Sequence, residues 1–227
     1  MTAPYTPAQV MPRALADAVD DLPYWFVIGG QAVRCFAPYR PSRDVDFGID
    51  SPANLNELVE QLRRRGRVEI LERGADTVHL RWNGVKVSAF VLGFLVPHVE
   101  GRHLDVTGVL ATKLHAILDR GLRRDFFDLY VMLQQHRRGI GAVLTAIRAV
   151  YGGQIDDTLM LRALTYFDDA QREAALPGEG PSDWATVRDY FLVQVGSRAE
   201  QGRERVTRGG GSPAAGPANP HVLAQRM

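Results

Sequence analysis

Apolar residues recur along this chain with two different periods, and the change from one to the other falls near residue 104. Over residues 7–21, Val10, Leu15, Ala18 and Val19 sit at roughly helical spacing until Leu22-Pro23 interrupts them, which predicts one short leading helix. Residues 24–28 (YWFVI) form a compact apolar run ending on Gly29-Gly30, and residues 31–37 return to helical composition. That pattern is a buried strand handed to a helix through glycines. Residues 44–49 alternate acid and hydrophobe, so Asp44 and Asp46 share one face of a strand while Val45 and Phe47 take the core face. Ser51-Pro52 opens a helix through Arg65, striped by Leu55, Leu58, Val59 and Leu62 and stopped by Gly66. Strand patterns follow at 67–72, 77–82 and 85–92, the last two joined by the hairpin dipeptide Asn83-Gly84. Every later pattern is helical, over 106–119, 123–135, 140–151, 156–167 and 184–198. The layout is α+β: a mixed sheet flanked by helices over residues 1–104, then a C-terminal helical bundle over 105–200. The Gly/Pro/Ala-rich end, residues 201–227, reads as a disordered tail.

Composition narrows the choice of partners. The chain of 227 residues is 45% hydrophobic and 23% charged, an ordinary globular balance. With 27 basic against 26 acidic residues the net charge is +1, so any attraction for a polyanion must be local. One cysteine excludes an internal disulfide, and neither a signal-peptide core nor a membrane-length apolar run is present, so the expected location is cytoplasmic, with no membrane partner. Lys86 and Lys113 are the only lysines in an arginine-dominated set, which marks them as candidates for sites that want a compact ammonium.

Gly29-Gly30 between strand and helix would let backbone N–H groups approach an anionic phosphate, although a plain tight turn has the same signature. Asp44 and Asp46 on one strand face suit divalent ions that bridge nucleotide phosphates, although a solvated strand edge is the simpler alternative. Lys113, Ile117 and Arg120 follow one helix face, presenting two cations or a snorkelling lysine. Arg124, Asp125 and Asp128 open the next helix, where Asp125 complements the helix dipole and Arg124 can pair with Asp128. Arg34, Arg40 and Arg43 flank the acids as a candidate guide for RNA phosphates, whereas Arg63, Arg64, Arg65 and Arg67 read as a solvated helix end. His98 and His103 are too loosely spaced for a zinc site, and Cys35 falls in an apolar stretch that reads as core.

The segment FVIGGQAVRCFAPYRPSRDVDFGID resembles the hydrophobic-Gly-Gly…Asp-x-Asp signature of the polymerase-β-like nucleotidyltransferase superfamily. The segment LATKLHAILDRGLRRDFFDLYVML resembles the Lys…Arg…Arg-Asp-x-x-Asp-Leu-Tyr block of AbiEii/AbiGii-type nucleotidyltransferase toxins. The resemblance implies a Mg2+- or Mn2+-dependent enzyme that transfers NMP from an NTP to an RNA acceptor, the tRNA 3′ end foremost, and is countered by a separately encoded antitoxin. It implies catalytic roles for Asp44, Asp46, Lys113, Asp125 and Asp128, with Asp44 and Asp46 as metal ligands. Gly29, Gly30, Arg43, Lys113 and Arg124 would bind the nucleotide. A small-molecule or protein acceptor, or a degenerate module that only binds nucleotide or RNA, are the alternatives. The departure is at VKVSAF, where Ser88 stands in place of a third carboxylate; Asp105 or Asp125 would be the substitutes.

Overall fold

The computed structural model describes residues 3–42, 44–153 and 155–208. The chain divides into two compact units, residues 1–109 and 110–226.

In the first unit the leading helical segment is two helices, α1 (Pro7–Val10) and α2 (Arg13–Val19), parted at Pro12, which has no N–H to continue the ladder. Next come β1 (Trp25–Val27), α3 (Gly29–Phe36), β2 (Val45–Ile49) and α4 (Pro52–Arg65). Ser51 caps α4 by accepting from the Asn54 N–H at 3.4 Å, as the Ser-Pro dipeptide predicts. The strands β3 (Val68–Arg73), β4 (Thr77–Trp82) and β5 (Val85–Val91) follow. A 3-10 turn, Gly93–His98, then leads into β6 (Val99–Glu100) and β7 (His103–Leu104), both too short to leave a periodic signal in the sequence.

The strands form one seven-stranded sheet in the order β3-β4-β5-β2-β1-β7-β6. It is mixed: β2 runs parallel to β5 and antiparallel to β1, while β1 runs parallel to β7. The hydrophobic alternation selects the buried face. Val45, Phe47, Ile49, Val78, Leu80, Trp82, Val87 and Ala89 join Leu15 and Val19 of α2 and Leu55, Leu58 and Leu62 of α4 in one core. The Trp82 indole N–H donates to the Leu62 carbonyl at 2.9 Å, tying α4 to the sheet through a buried polar contact. The opposite face of the same strands carries Asp46, His79, Arg81, Lys86 and Ser88.

In the second unit, α5 (Val106–Asp119) enters from the first and is followed by α6 (Arg123–Gln135) and α7 (Ile140–Tyr151). The segment expected as one helix over 156–167 is instead α8 (Asp157–Ala163), with α9 (Asp168–Arg172) starting afresh. The Thr165 hydroxyl donates to the carbonyls of Leu161 and Arg162 at 3.3 and 3.1 Å, competing with the helical ladder where α8 stops. The last helix, α10 (Asp183–Arg208), runs through residues 201–208, which the sequence reading assigned to the tail. Composition explains the difference, because the Gly/Pro-rich stretch begins only at Gly209. The remainder of the expected tail, 209–227, lies outside the described residues. Phe126 of α6 anchors this unit's core, with ring centroids 5.2, 5.9 and 5.7 Å from Phe167, Trp184 and Phe191. Among the described residues no helix is long and apolar enough to cross a membrane.

Candidate active site

In the first unit the chemistry gathers where β1 ends and α3 begins. Ile28 donates its N–H to the Asp46 carbonyl at 2.9 Å, so β1 delivers the chain directly to β2 at the level of the second acid. Gly29 then turns with φ +59°, and a Cβ there would fall 2.7 Å from Asp46 Oδ2. Only glycine satisfies both the left-handed backbone and the closeness of the carboxylate. At Gly30 an added Cβ would meet Ser42 Oγ at 3.1 Å and an Arg40 guanidinium nitrogen at 3.3 Å. The glycine pair is therefore a close-approach site: the acid and the loop before β2 fold against the first turn of α3, whose N–H groups favour negative charge.

Gln31, which sequence reasoning passed over, holds that loop. It is 1% exposed, and its amide nitrogen donates to the carbonyls of Ser42 and Asp44 at 3.3 and 3.2 Å. Its oxygen accepts from Arg34, and Arg34 also donates to the Val10 carbonyl. The expected phosphate guide Arg34 is thus an internal strut; Arg40 lies by Gly30, and Arg43 is outside the described residues. The other arginine cluster is exposed, as a solvated helix end should be, with Arg63 pairing with Glu60 and Arg64 with Gln61 along α4 and Arg65 reaching Asp21. Cys35 is buried in the core, where desolvation pushes its thiol up to about 12.

Asp46 pairs in register with Ser88 of β5, and Ser88 pairs with His79 of β4. Ser88 is 7% exposed, and its hydroxyl is 2.9 Å from His79 Nδ1. Acid, hydroxyl and imidazole therefore form a row across three neighbouring strands. The strand alternation gives Ser88 the same facing as Lys86 and Phe90. Sequence reasoning missed His79, yet the signal was present: across a two-residue turn at Asn83-Gly84, position 79 must oppose 88.

Among the described residues no group of three or more His, Cys, Asp or Glu side chains forms a metal cluster. The candidate donors are the half-buried carboxylates of Asp46, on this face, and of Asp44, one residue before β2. An all-oxygen set of two carboxylates fits an ion such as Mg2+ that takes its remaining ligands from water and phosphate. The suggested third acids are engaged elsewhere. Asp105 caps the start of α5, accepting from the Gly108 N–H at 2.6 Å and lying 3.4 Å from His98 Nδ1. His103 Nδ1 is 2.8 Å from the Leu104 carbonyl.

The second unit holds Asp125 in a charge cluster of its own. Lys113 Nζ lies 3.3 Å from Asp125 Oδ1 and 2.6 Å from Asp128 Oδ2, with exposures of 4%, 0% and 1% for the three residues. Arg120, two turns further along and just past the end of α5, binds both oxygens of Asp125 at 3.0 and 3.2 Å. Lys113 is not a snorkelling surface lysine; two acids on α6 fix its ammonium. Asp128 pairs with Lys113, and Arg124, the i+4 partner expected for it, is exposed and adds its field at Asp125. Burial works against the Asp125 carboxylate, but Lys113, Arg120 and Arg124 outweigh it and hold its pKa below the usual range.

The mixed sheet, with an acid held against a Gly-Gly helix start, defines a nucleotidyltransferase-type fold, and solved structures share it. MenT4, a nucleotidyltransferase toxin from Mycobacterium tuberculosis, is similar at a TM-score of 0.58 and 16% identity over 94% of this chain and 90% of its own. JHP933 from Helicobacter pylori is similar at a TM-score of 0.51 and 16% identity, covering 86% of this chain and 94% of its own. The family model of the nucleotidyl transferase AbiEii toxin, of type IV toxin–antitoxin systems, matches residues 87–202, and the chain belongs to that family. An uncharacterized protein of Aquifex aeolicus is 24% identical over 180 residues, 75% of this chain and 86% of the relative. The family match begins one residue before Ser88, so the glycine pair and both strand acids precede it.

Proposed function

We propose that this protein transfers a nucleoside monophosphate from an NTP to an RNA acceptor, the tRNA 3′ end foremost, with Mg2+, and that a separately encoded antitoxin restrains it. One observation carries the reading: the Asp46 carboxylate lies against Gly29 at the start of α3, with Asp44 two residues before it. Membership in a nucleotidyltransferase toxin family supports the chemistry.

Asp44 and Asp46 hold the divalent ion, which when bound offsets triphosphate charge and acidifies the attacking hydroxyl. The α3 N-terminus and its glycines receive phosphate oxygens on backbone N–H groups, and the family resemblance adds Arg43 to this nucleotide-binding set. Gln31 keeps the Ser42–Asp44 backbone in place, so the acids are set before substrate arrives. Lys113 is assigned the charge that develops on leaving pyrophosphate; Asp125 and Asp128 fix its position, and Arg124 adds positive charge nearby. The acceptor oxygen bonds to the α-phosphorus, the bond to pyrophosphate breaks, and the hydroxyl proton leaves to a base.

The test is incubation of the purified protein with Mg2+, each labelled NTP and total tRNA. Label on RNA that disappears in Asp46→Ala is the expected result. NTP binding without label on RNA, protein or small hydroxylated acceptors would leave a nucleotide-binding module and refute transfer.

A further inference from the structure

A hydroxyl attacking phosphorus must lose its proton, and the position in register with Asp46 on β5 holds a serine, too weak a base to take it alone. That serine is not alone. Its buried hydroxyl lies 2.9 Å from His79 Nδ1, on the face of the sheet that carries Asp46. The Phe90 ring packs against the imidazole in a T-shaped arrangement, with centroids 5.6 Å apart. An imidazole behind a hydroxyl is the arrangement that lets a weakly acidic O–H pass a proton on.

Building on the nucleotidyl-transfer reading, we propose that Ser88 and His79 form a two-residue proton relay that takes the acceptor hydroxyl's proton, in place of a third carboxylate. With the imidazole protonated on Nε2, the Ser88 hydroxyl donates to Nδ1. As the acceptor oxygen bonds to phosphorus, its proton passes to Ser88 Oγ and the serine's own proton passes to His79 Nδ1. The electron pair of the breaking P–O bond leaves with pyrophosphate, and the imidazolium returns its proton to solvent. Ser88 touches the reacting hydroxyl and is the catalytic residue; His79 acts through it and is a positioning residue. The charged groups sharing the imidazole's face are Glu69 and Glu72 on β3, Arg81 on β4, Lys86 on β5 and, beyond Ser88, Asp46 on β2.

The experiment compares His79→Gln, Ser88→Ala, Ser88→Asp and the double variant His79→Gln/Ser88→Asp. Single-turnover rates are followed across pH at saturating NTP and Mg2+, with side-chain 15N NMR of His79 in the free protein. His79→Gln and Ser88→Ala should each lower the rate about 100-fold with the NTP KM unchanged, and His79→Gln should remove the acidic limb of the profile. Ser88→Asp supplies a carboxylate directly, so His79→Gln should cost nothing further in that background. The NMR should show the Nε2–H tautomer, with Nδ1 changing its shift in Ser88→Ala. A His79→Gln rate and profile like wild type, a proton resident on Nδ1, or labelled nucleotide left covalently on Ser88 would each overturn the relay. Wild type that transfers nothing to any acceptor removes the nucleotidyl-transfer reading, and the relay with it. Wild type that transfers while the variants keep its rate removes the relay alone.

Discussion

Replacing Lys113 with methionine removes a buried cation at nearly constant volume and leaves its acids behind. The burden falls unequally. Asp125 keeps Arg120 on both oxygens, whereas Asp128 loses its 2.6 Å partner at 1% exposure. Breaking one side of a buried pair in this way costs about 3–5 kcal/mol, a large share of the roughly 5–15 kcal/mol that holds a domain together. With a urea slope near 2 kcal/mol/M, the unfolding midpoint should fall by about 2 M. The double variant Lys113→Met/Asp128→Leu removes both charges and should recover most of the loss, because an apolar replacement of a whole pair is often close to neutral. The assay is equilibrium urea denaturation by circular dichroism on wild type, both singles and the double. A midpoint shift below about 0.3 M in Lys113→Met, or a double variant no better than the worse single, would refute the buried-charge argument. The same comparison separates two routes to inactivity. A double variant that is stable yet inactive shows that the Lys113–Asp128 pair is needed for transfer; a stable and active one confines the pair to structure.

Other outcomes follow from the same geometry. Gly29→Ala must place a Cβ 2.7 Å from Asp46 Oδ2 at φ +59°, so transfer should fall at least about tenfold beyond any loss of melting temperature, whereas Gly30→Ala, facing flexible ends of Ser42 and Arg40, should fall less; equal effects would sink the close-approach argument. Gln31→Leu strips the Ser42 and Asp44 carbonyls of a buried donor and should cost about 1–3 kcal/mol in thermal denaturation, with a raised Mg2+ requirement for transfer. Asp125 has a depressed folded-state pKa, so its stabilising contribution is complete above the unfolded carboxylate value of about 3.9 and is lost as pH falls through the folded value. Urea midpoints from pH 6 to 2 should therefore fall more steeply in wild type than in Asp125→Asn.

The sheet unit was legible because its signals are local. The acid-hydrophobe alternation of 44–49, the Asn83-Gly84 dipeptide and the Ser51-Pro52 cap each state a facing or a boundary within a few residues, and the structure keeps all three. The parallel pairing that brings Ser88 beside Asp46 joins residues more than forty positions apart, and only the family resemblance pointed to it before the fold was known. What stayed hidden was partner choice. Asp125 and Asp128 on α6, with Lys113 on α5 and Arg120 just past its end, offer several pairings, and helix spacing alone did not point to the Lys113 pair of Asp128. Gln31 was invisible for another reason: a buried amide that serves two backbone carbonyls leaves no periodic mark.

The turn between β4 and β5 gives the site an arithmetic of its own. Asn83 and Gly84, at φ +47° and +86°, make a connection of fixed length, and every pair across it satisfies one sum of residue numbers. A single-residue insertion at the tip changes that sum, and a slip of one position would turn Ser88 toward the core and bring Val87 out to Asp46. Histidine and serine are therefore aligned as one hairpin unit rather than as two independent positions. Grafting residues 77–91 whole into a relative carries the pair across aligned, while exchanging either strand alone leaves the alignment to chance. Length variation in this family should be scarce at that tip and freer at loops whose register no side chain reads.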